Sequence, residues 1–248
     1  MERDPRGLGG AWAEHQSLSF PDPPPDLAPW VERLWAVSWS YNAPYRQVLL
    51  PHAQVHLTFP SDTVPTITGA ATRARQRVLD GDGAVVGVAF RPGVVRPLVG
   101  RSVSSLTDLS IPAADVLGPG LPSDPDPDEV VALLRRVLPA PDPVGLWCAE
   151  VVDRIHADTD LRRVGDLAAS VGTSVRQLQR RFAEHVGVGP KWIIRRRRLH
   201  EVTERLAAGE RVDWAGLAAE LGYADQAHLT RDVTSLFGEP PTAHAARY

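Results

Sequence analysis

Two short sets of polar residues stand out for the chemistry they could do together. The first is Ser174, Arg176, Gln179 and Arg180; the second is Gln226, Ala227, His228, Thr230 and Arg231. Arginine offers two parallel N–H donors that match O6 and N7 of guanine, and glutamine pairs in the same way with N6 and N7 of adenine. At about 100° per residue, Arg176, Gln179, Arg180 and Ala183 fall opposite Leu178 and Phe182 on a helix. Ala227, Thr230, Arg231 and Thr234 fall opposite Leu229 and Val233 in the same way, with Gln226 nearer the inward side but within reach of a base from the first turn. A helix that is apolar on one face and carries such donors on the other is built to lie in a DNA major groove. Ser174 and Asp225 stand where side-chain oxygens cap helix N-termini.

The elements that must position these faces are written twice. Leu167-Ala168, Val171-Gly172, Leu178, Arg180, Phe182, Val186-Gly187 and Pro190 return as Leu217-Ala218, Leu221-Gly222, Leu229, Arg231, Val233, Phe237-Gly238 and Pro241. The offset is 50 residues up to the glycines and 51 after them, which places one extra residue in the second turn. Each copy predicts helix, tight turn, helix. A long helix starting at Pro190, running through Leu206 and stopped by Gly209 joins them, and an earlier apolar stripe (Leu146, Ala149, Val152, Ile155) predicts one more helix in front. The long helix carries Arg195-Arg196-Arg197-Arg198. Four successive side chains point all round a helix and cannot meet one surface. Lys191, Arg195 and Arg196 are the candidate phosphate contacts, the rest pairing with acids such as Glu201; loss of the four arginine charges is expected to weaken every duplex alike.

Charge distribution supports this. The formal net charge is −3, but residues 1–150 carry −5 and residues 151–248 carry +2. Between Arg176 and Arg198 there are eight basic side chains and one acid, Glu184, a local patch that attracts phosphate. With 26 Arg and one Lys, however, Arg is the chain's default cation, so Arg identity alone carries little weight. The 248 residues have room for two modest domains, and 43% hydrophobic with 23% charged residues is an ordinary globular composition. No apolar run is long enough to span a bilayer and Met1–Gly10 lacks a signal-peptide core, so a cytoplasmic location and no membrane partner are expected. The single cysteine, Cys148, excludes an internal disulfide framework and a cysteine metal cluster, and sits in an apolar helical stretch as a buried thiol.

The first half reads differently. Residues 1–29, ending in Phe20-Pro21-Asp22-Pro23-Pro24-Pro25-Asp26, predict an extended leader. Over residues 30–138 the pattern has period two: Trp35, Val37, Trp39 and Tyr41 share one face, Val55, Leu57 and Phe59 another, and Val86, Val88 and Phe90 a third. Turns are expected at Pro51, Pro60, Gly69, Gly81-Asp82-Gly83 and Pro92-Gly93, with short helices near residues 94–99 and 104–109 and a helix over 128–138. Residues 139–143, with proline at alternate positions, predict a stiff linker, and residues 144–248 a helical domain. The expected fold class is α+β in two domains: a mainly antiparallel β domain with short helices, then an all-α domain of two helix-turn-helix units on a long helix. The aromatic set Trp30, Trp35, Trp39, Tyr41 and Phe59 reads first as core and second as the lining of a ligand pocket; the candidate pocket residues are Trp35, Trp39, His52, His56, Phe59 and Arg91. On one strand His52 and His56 would stand about 13 Å apart, too far to share a metal, whereas across a turn they could meet. No metal and no cofactor is expected. Arg91, beside Pro92-Gly93, is read as an anion contact or a structural ion pair.

Residues 145–248 resemble the DNA-binding domain of the AraC/XylS family of bacterial transcription regulators. The resemblance lies in Leu167-Ala168-Ala169-Ser170-Val171-Gly172-Thr173-Ser174, Leu178-Gln179-Arg180-Arg181-Phe182, Gly187-Val188-Gly189-Pro190, the stretch from Leu217 to Arg231, and the closing Phe237-Gly238-Glu239-Pro240-Pro241. It implies a seven-helix domain that places two recognition helices in successive major-groove segments of one duplex face. More weakly, Gly87-Val88-Ala89-Phe90-Arg91-Pro92-Gly93 resembles a poorly characterised β-rich domain that precedes such units. Val233 stands where the family usually has Phe, and Asp232 near the phosphates is expected to weaken the second unit's grip. His228 matches a common family residue, with a backbone or phosphate contact and a structural role both open. The expected function is sequence-specific transcription regulation by a non-enzyme, modulated through the β domain. Double-stranded DNA is the partner; RNA polymerase and a small-molecule effector are candidate further partners, and the state is monomer or homodimer. The alternatives are a DNA-targeted enzyme, disfavoured by one buried cysteine, and a protein-interaction module, which leaves the polar faces unexplained.

Overall fold

The computed structural model describes residues 15–207 and 213–237. The expected stop at Gly209 and the closing signature beyond Phe237 lie outside those residues.

Among the described residues six strands form one sheet. They are β1 (Gln16–Ser19), β2 (Val31–Leu49), β3 (His56–Pro60), β4 (Thr66–Thr68), β5 (Arg75–Phe90) and β6 (Ser110–Pro112), in the order β1-β2-β5-β3-β4-β6 with antiparallel neighbours. Period-two alternation sends Leu57, Phe59, Ile67, Val88 and Phe90 to one face, where they bury with Trp30 and Leu34. Among the helices of this half, α1 (Arg96–Val99), α2 (Ala114–Leu117) and α3 (Pro127–Val137), the last supplies Val130, Val131, Leu133 and Leu134 to that core. The opposite face holds a smaller cluster of Val37, Trp39, Tyr41, Leu79 and Val85.

Two expectations are corrected. The leader is partly built into the fold. Gln16–Ser19 pairs with β2, Leu27 is buried, and Asp26 is bonded to Arg135 at 2.8 Å. The alternation in four residues was too short to read as a strand. Gly81-Asp82-Gly83 is no turn either, since β5 runs through it opposite β2, with Trp39 facing Gly83 and Trp35 facing Gly87. At Gly83 and Gly87 a Cβ would overlap the two indoles, so these glycines serve close aromatic packing across the strands.

Among the described residues six further helices follow: α4 (Pro143–Ala157), α5 (Val164–Ser170), α6 (Val175–His185), α7 (Pro190–Ala207), α8 (Trp214–Glu220) and α9 (Gln226–Phe237). Pro143, the last residue of the expected linker, opens α4, because Asp142 caps it and proline at the first turn lacks only an N–H that would be unpaired anyway. The first cluster of this half gathers Val152, Ile155, Leu167, Leu178 and Phe182 with Ile193 and Ile194 of α7. The second gathers Leu199 and Val202 of α7 with Leu217, Leu221, Leu229 and Val233.

The two halves meet in a tight seam. A Cβ on Gly93 would come within 2.6 Å of the Gly145 carbonyl, and one on Gly145 within 2.6 Å of the Gly93 carbonyl. Gly93 also has φ +110°, a conformation that costs glycine little. A single 3-10 turn, Val103–Leu106, lies beside α6: Ser102 donates to the Ala183 carbonyl at 3.1 Å and Thr107 to that of Gly187 at 2.7 Å. Arg91 is ion-paired with Asp153 of α4 at 2.7 Å, the structural one of its two readings.

Histidines line this seam. Burial pushes His52 down to about 4 and holds His56 well below the usual range; His185 is lowered for the same reason. The folded protein keeps them neutral while the unfolded chain takes up protons near pH 6.5. Stability is therefore full above about pH 6.5 and is lost as pH falls from there toward the lowered values. The thermal midpoint should drop steadily between pH 7 and pH 5, before most carboxylates titrate. A midpoint constant over that interval would contradict the burial of these rings.

Candidate nucleic-acid interface

The sequence repeat is also a repeat of hydrogen bonds. In the α5–α6 turn the Gly172 N–H donates to the Ala169 carbonyl at 3.2 Å, and the Thr173 N–H to that of Ala168 at 3.0 Å. In the α8–α9 turn Gly222 donates to Ala219 at 3.0 Å, and Tyr223 to Ala218 at 2.8 Å. Gly172 and Gly222 have φ of 65° and 72°, where a side chain would be strained, so glycine at these two positions dictates the same exit direction in both copies. Each second helix then starts on a side-chain cap. The Gln177 N–H donates to the Ser174 hydroxyl at 3.2 Å, and the His228 N–H to the Asp225 carboxylate at 2.7 Å.

Burial orients both helices. Leu178 and Phe182 of α6, and Leu229 and Val233 of α9, are buried against Leu167-Ala168 and Leu217-Ala218. Arg176, Gln179 and Arg180 are exposed on α6, and Gln226, Ala227, His228 and Arg231 on α9, with Thr230 half-buried. Gln226 faces solvent rather than the inward side, because it is the first residue of α9 and its helix has no preceding turn to bury it. Arg231 turns back to donate to the Ala227 carbonyl at 3.3 Å, and His228 sets its ring edge-on to Tyr223 at 5.1 Å. Ser174 holds the cap of α6, with its residue exposed at the same end as Arg176.

The arginine run is the largest correction. Each of the four side chains engages a different element. Arg195 pairs with Asp232 of α9 at 2.7 Å. Arg196 donates to the Pro51 carbonyl of the β domain at 2.6 Å. Arg197, almost fully buried, donates to the Thr159 carbonyl between α4 and α5 at 3.0 Å. Arg198 donates to the Leu221 carbonyl at 2.9 Å and lies over the Tyr223 ring. The divergence of four successive side chains, which excluded a common surface, is what lets one helix tie four bodies together. Arg195 and Arg196 are thus held by the fold, and Lys191, exposed near the start of α7, is left as the candidate phosphate contact of that group. Loss of the run should disrupt the domain rather than only weaken every duplex alike.

Asp232 is corrected with it. Its carboxylate faces α7 and is mostly covered, so it clamps the second unit instead of repelling phosphate. Asp232→Ala should therefore lower DNA affinity, by about 1–2 kcal/mol given a partly wetted charged pair, where a repulsive acid would raise it on removal. Duplex titrations of the two proteins at one salt concentration decide the sign. Spacing concealed this partner: Arg195 lies in another helix, ahead of the second unit.

Of the candidate pocket residues, Trp35, Trp39, His52 and His56 lie on one side of the sheet. The His56 ring is 6.2 Å from that of Trp35, and the His52 ring 4.4 Å from that of His56. The two histidines meet because His52 precedes β3, so the separation expected along one strand does not apply. Phe59 lies on the opposite face in the main core, with no exposed surface, and Arg91 is paired with Asp153; neither lines a pocket with Trp35. Among the described residues no group of three or more His, Cys, Asp and Glu side chains could hold a metal ion. Cys148 is buried and its thiol is pushed up to about 12 by that burial, which leaves it a poor nucleophile. Among the described residues no helix is long and apolar enough to cross a membrane.

Comparison with known proteins gives one domain match in each half. Residues 20–112 match a domain of unknown function (DUF6597), and residues 167–247 match a helix-turn-helix domain. The chain matches no curated protein. Among solved structures it is similar to an AraC-type DNA-binding domain-containing transcriptional regulator from Chromobacterium violaceum, at 23% identity over 40% of this chain and 89% of that one, with a TM-score of 0.37. The C-terminal domain of AraT, a response regulator from Geobacillus stearothermophilus, is similar at 16% identity over 43% of this chain and 87% of that one, with a TM-score of 0.37. ToxT from Vibrio cholerae O395 is similar at 11% identity over 94% of this chain and 98% of that one, with a TM-score of 0.42. The matched residues 167–247 contain both turns and both outward polar faces, so this part of the chain is similar to a helix-turn-helix domain.

Proposed function

We propose that one molecule reads a two-part operator, with α6 and α9 in successive major-groove segments on one face of the duplex. The observation that carries this is the duplicated turn. The same pair of backbone hydrogen bonds presents Arg176, Gln179 and Arg180 in one copy and Gln226, Ala227, Thr230 and Arg231 in the other. Arg180 and Gln179 are assigned base-edge contacts, and Lys191 a phosphate contact. Arg231, held back on Ala227, and the smaller Val233 core make the second unit the weaker reader. The β domain modulates this binding, and its Trp35–His56–His52 side is the surface on which a small-molecule effector would act. The protein works in the cytoplasm as a non-catalytic monomer or homodimer, with RNA polymerase as its further partner.

Selection of the full-length protein against random duplexes tests the reading. It expects two short enriched motifs whose centres are about one helical turn apart, roughly 10–10.5 base pairs. Enrichment of no sequence would overturn it.

A further inference from the structure

The loop between β2 and β3 touches both reading units at once. Leu50 packs on the second-unit cluster of Leu199, Val202, Leu217 and Leu229. Pro51 is buried, and its carbonyl receives the Arg196 Nε–H at 2.6 Å. Ala53, 4% exposed, belongs to the first-unit cluster of Leu167, Leu178, Phe182 and Ile193. Four consecutive residues of the β domain thus run along α7 from one cluster to the other, and their only charged anchor among the described contacts is Arg196, midway between them. Arg196 is itself deeply covered and sits beside Glu32 of β2. The loop is not a free strap. His52 is bridged to Ala71 through paired backbone bonds of 3.0 and 2.9 Å, and its ring abuts His56 on the sheet.

We infer that Leu50–Ala53 is a wedge that sets the angle between the two reading units, with Arg196 as its positioning residue. Packed interiors do not deform continuously, so a loop seated in both clusters fixes how one unit sits on α7 relative to the other. Two recognition helices held at one angle accept one spacing of their target segments. Without the wedge, the units joined by α7 alone would accept several. The inference rests on the two-part operator proposed above.

The test uses the full-length protein and the duplex it enriches from a random library. The spacer between the two motifs is lengthened or shortened by one to three base pairs. The wild type should prefer its own spacing by about tenfold, the scale of one well-made charged hydrogen bond. Arg196→Met, and independently Leu50→Ala, should reduce that preference to within about twofold while keeping the affinity for a duplex carrying only the first motif. Asp153→Asn, which breaks the seam's pair with Arg91 and leaves Leu50–Ala53 and Arg196 in place, should leave the spacing preference as in the wild type. Unchanged preference in both wedge variants, or an equal fall on one-motif and two-motif duplexes, overturns the wedge alone. The same loss of preference in Asp153→Asn also overturns it, because docking of the whole seam would then set the angle. Failure of the wild type to enrich two motifs overturns the operator reading, and the wedge with it.

Discussion

Phe182→Ala should open the first reading unit about 3–5 kcal/mol more easily, while Val233→Ala at the matching position of the second should cost only about 2 kcal/mol. Phe182 has no exposed surface and is packed among Leu167, Leu178, Ile193 and Ile194, so truncation leaves a ring-sized void that those neighbours cannot close. Val233 fills the corresponding place with far less volume. Hydrogen exchange resolves the two units within the whole chain. Protection in α5 and α6 should fall by about two to four orders of magnitude in the first variant, against about one and a half orders in α8 and α9 in the second. Equal losses would mean that the two cores are equivalent despite their different residues.

Arg180→Ala carries the second large effect, and it falls on binding. The side chain is exposed on α6 and clear of the core, so removal should leave the fold intact. A bidentate contact to a base is worth about 1–3 kcal/mol, so affinity should fall about 5- to 150-fold, and preference should relax at a single base pair. The slope of binding against salt should stay nearly unchanged. Lys191→Ala should do the reverse, weakening all sequences alike and lowering that slope by about one. A uniform loss across sequences for Arg180→Ala would make it a phosphate contact instead. The experiment compares selected duplexes with single-pair changes at several salt concentrations.

The contrast between Arg180 and the four arginines of α7 shows what the sequence can and cannot convey. The reading units are legible because their determinants are local: a glycine at positive φ, an oxygen one turn before a backbone N–H, and apolar pairs at helical spacing. The same locality makes Ser174 and Asp225 recognisable as caps, whereas Asp142, which caps α4, is hidden in a stretch with linker composition. Arg195 and Arg196 were misread as phosphate contacts because their partners are distant in sequence. Pro51 lies 145 residues before Arg196, and Asp232 sits on another helix. Asp232 looked repulsive for that reason alone. The β domain was legible through period-two alternation, which places Trp35, Trp39 and Tyr41 together whatever their partners. It failed where length or context was decisive. Gln16–Ser19 is too short to alternate visibly, and Gly81-Asp82-Gly83 has turn composition but serves the indole of Trp39 across the sheet. Phe59 shares an aromatic character with Trp35, yet its parity along β3 sends it to the other face. The seam between the halves was invisible, since nothing local marks Gly93 and Gly145 as neighbours.

Hydroxyl-radical footprinting of the enriched duplex by the full-length protein tests the central claim most directly. Two protected patches on the same face, about one helical turn apart at roughly 10–10.5 base pairs, are expected. Arg180→Ala should weaken one patch and Arg231→Ala the other. A single patch, two patches on opposite faces, or one variant erasing both together would contradict a protein that reads DNA with two separate helices.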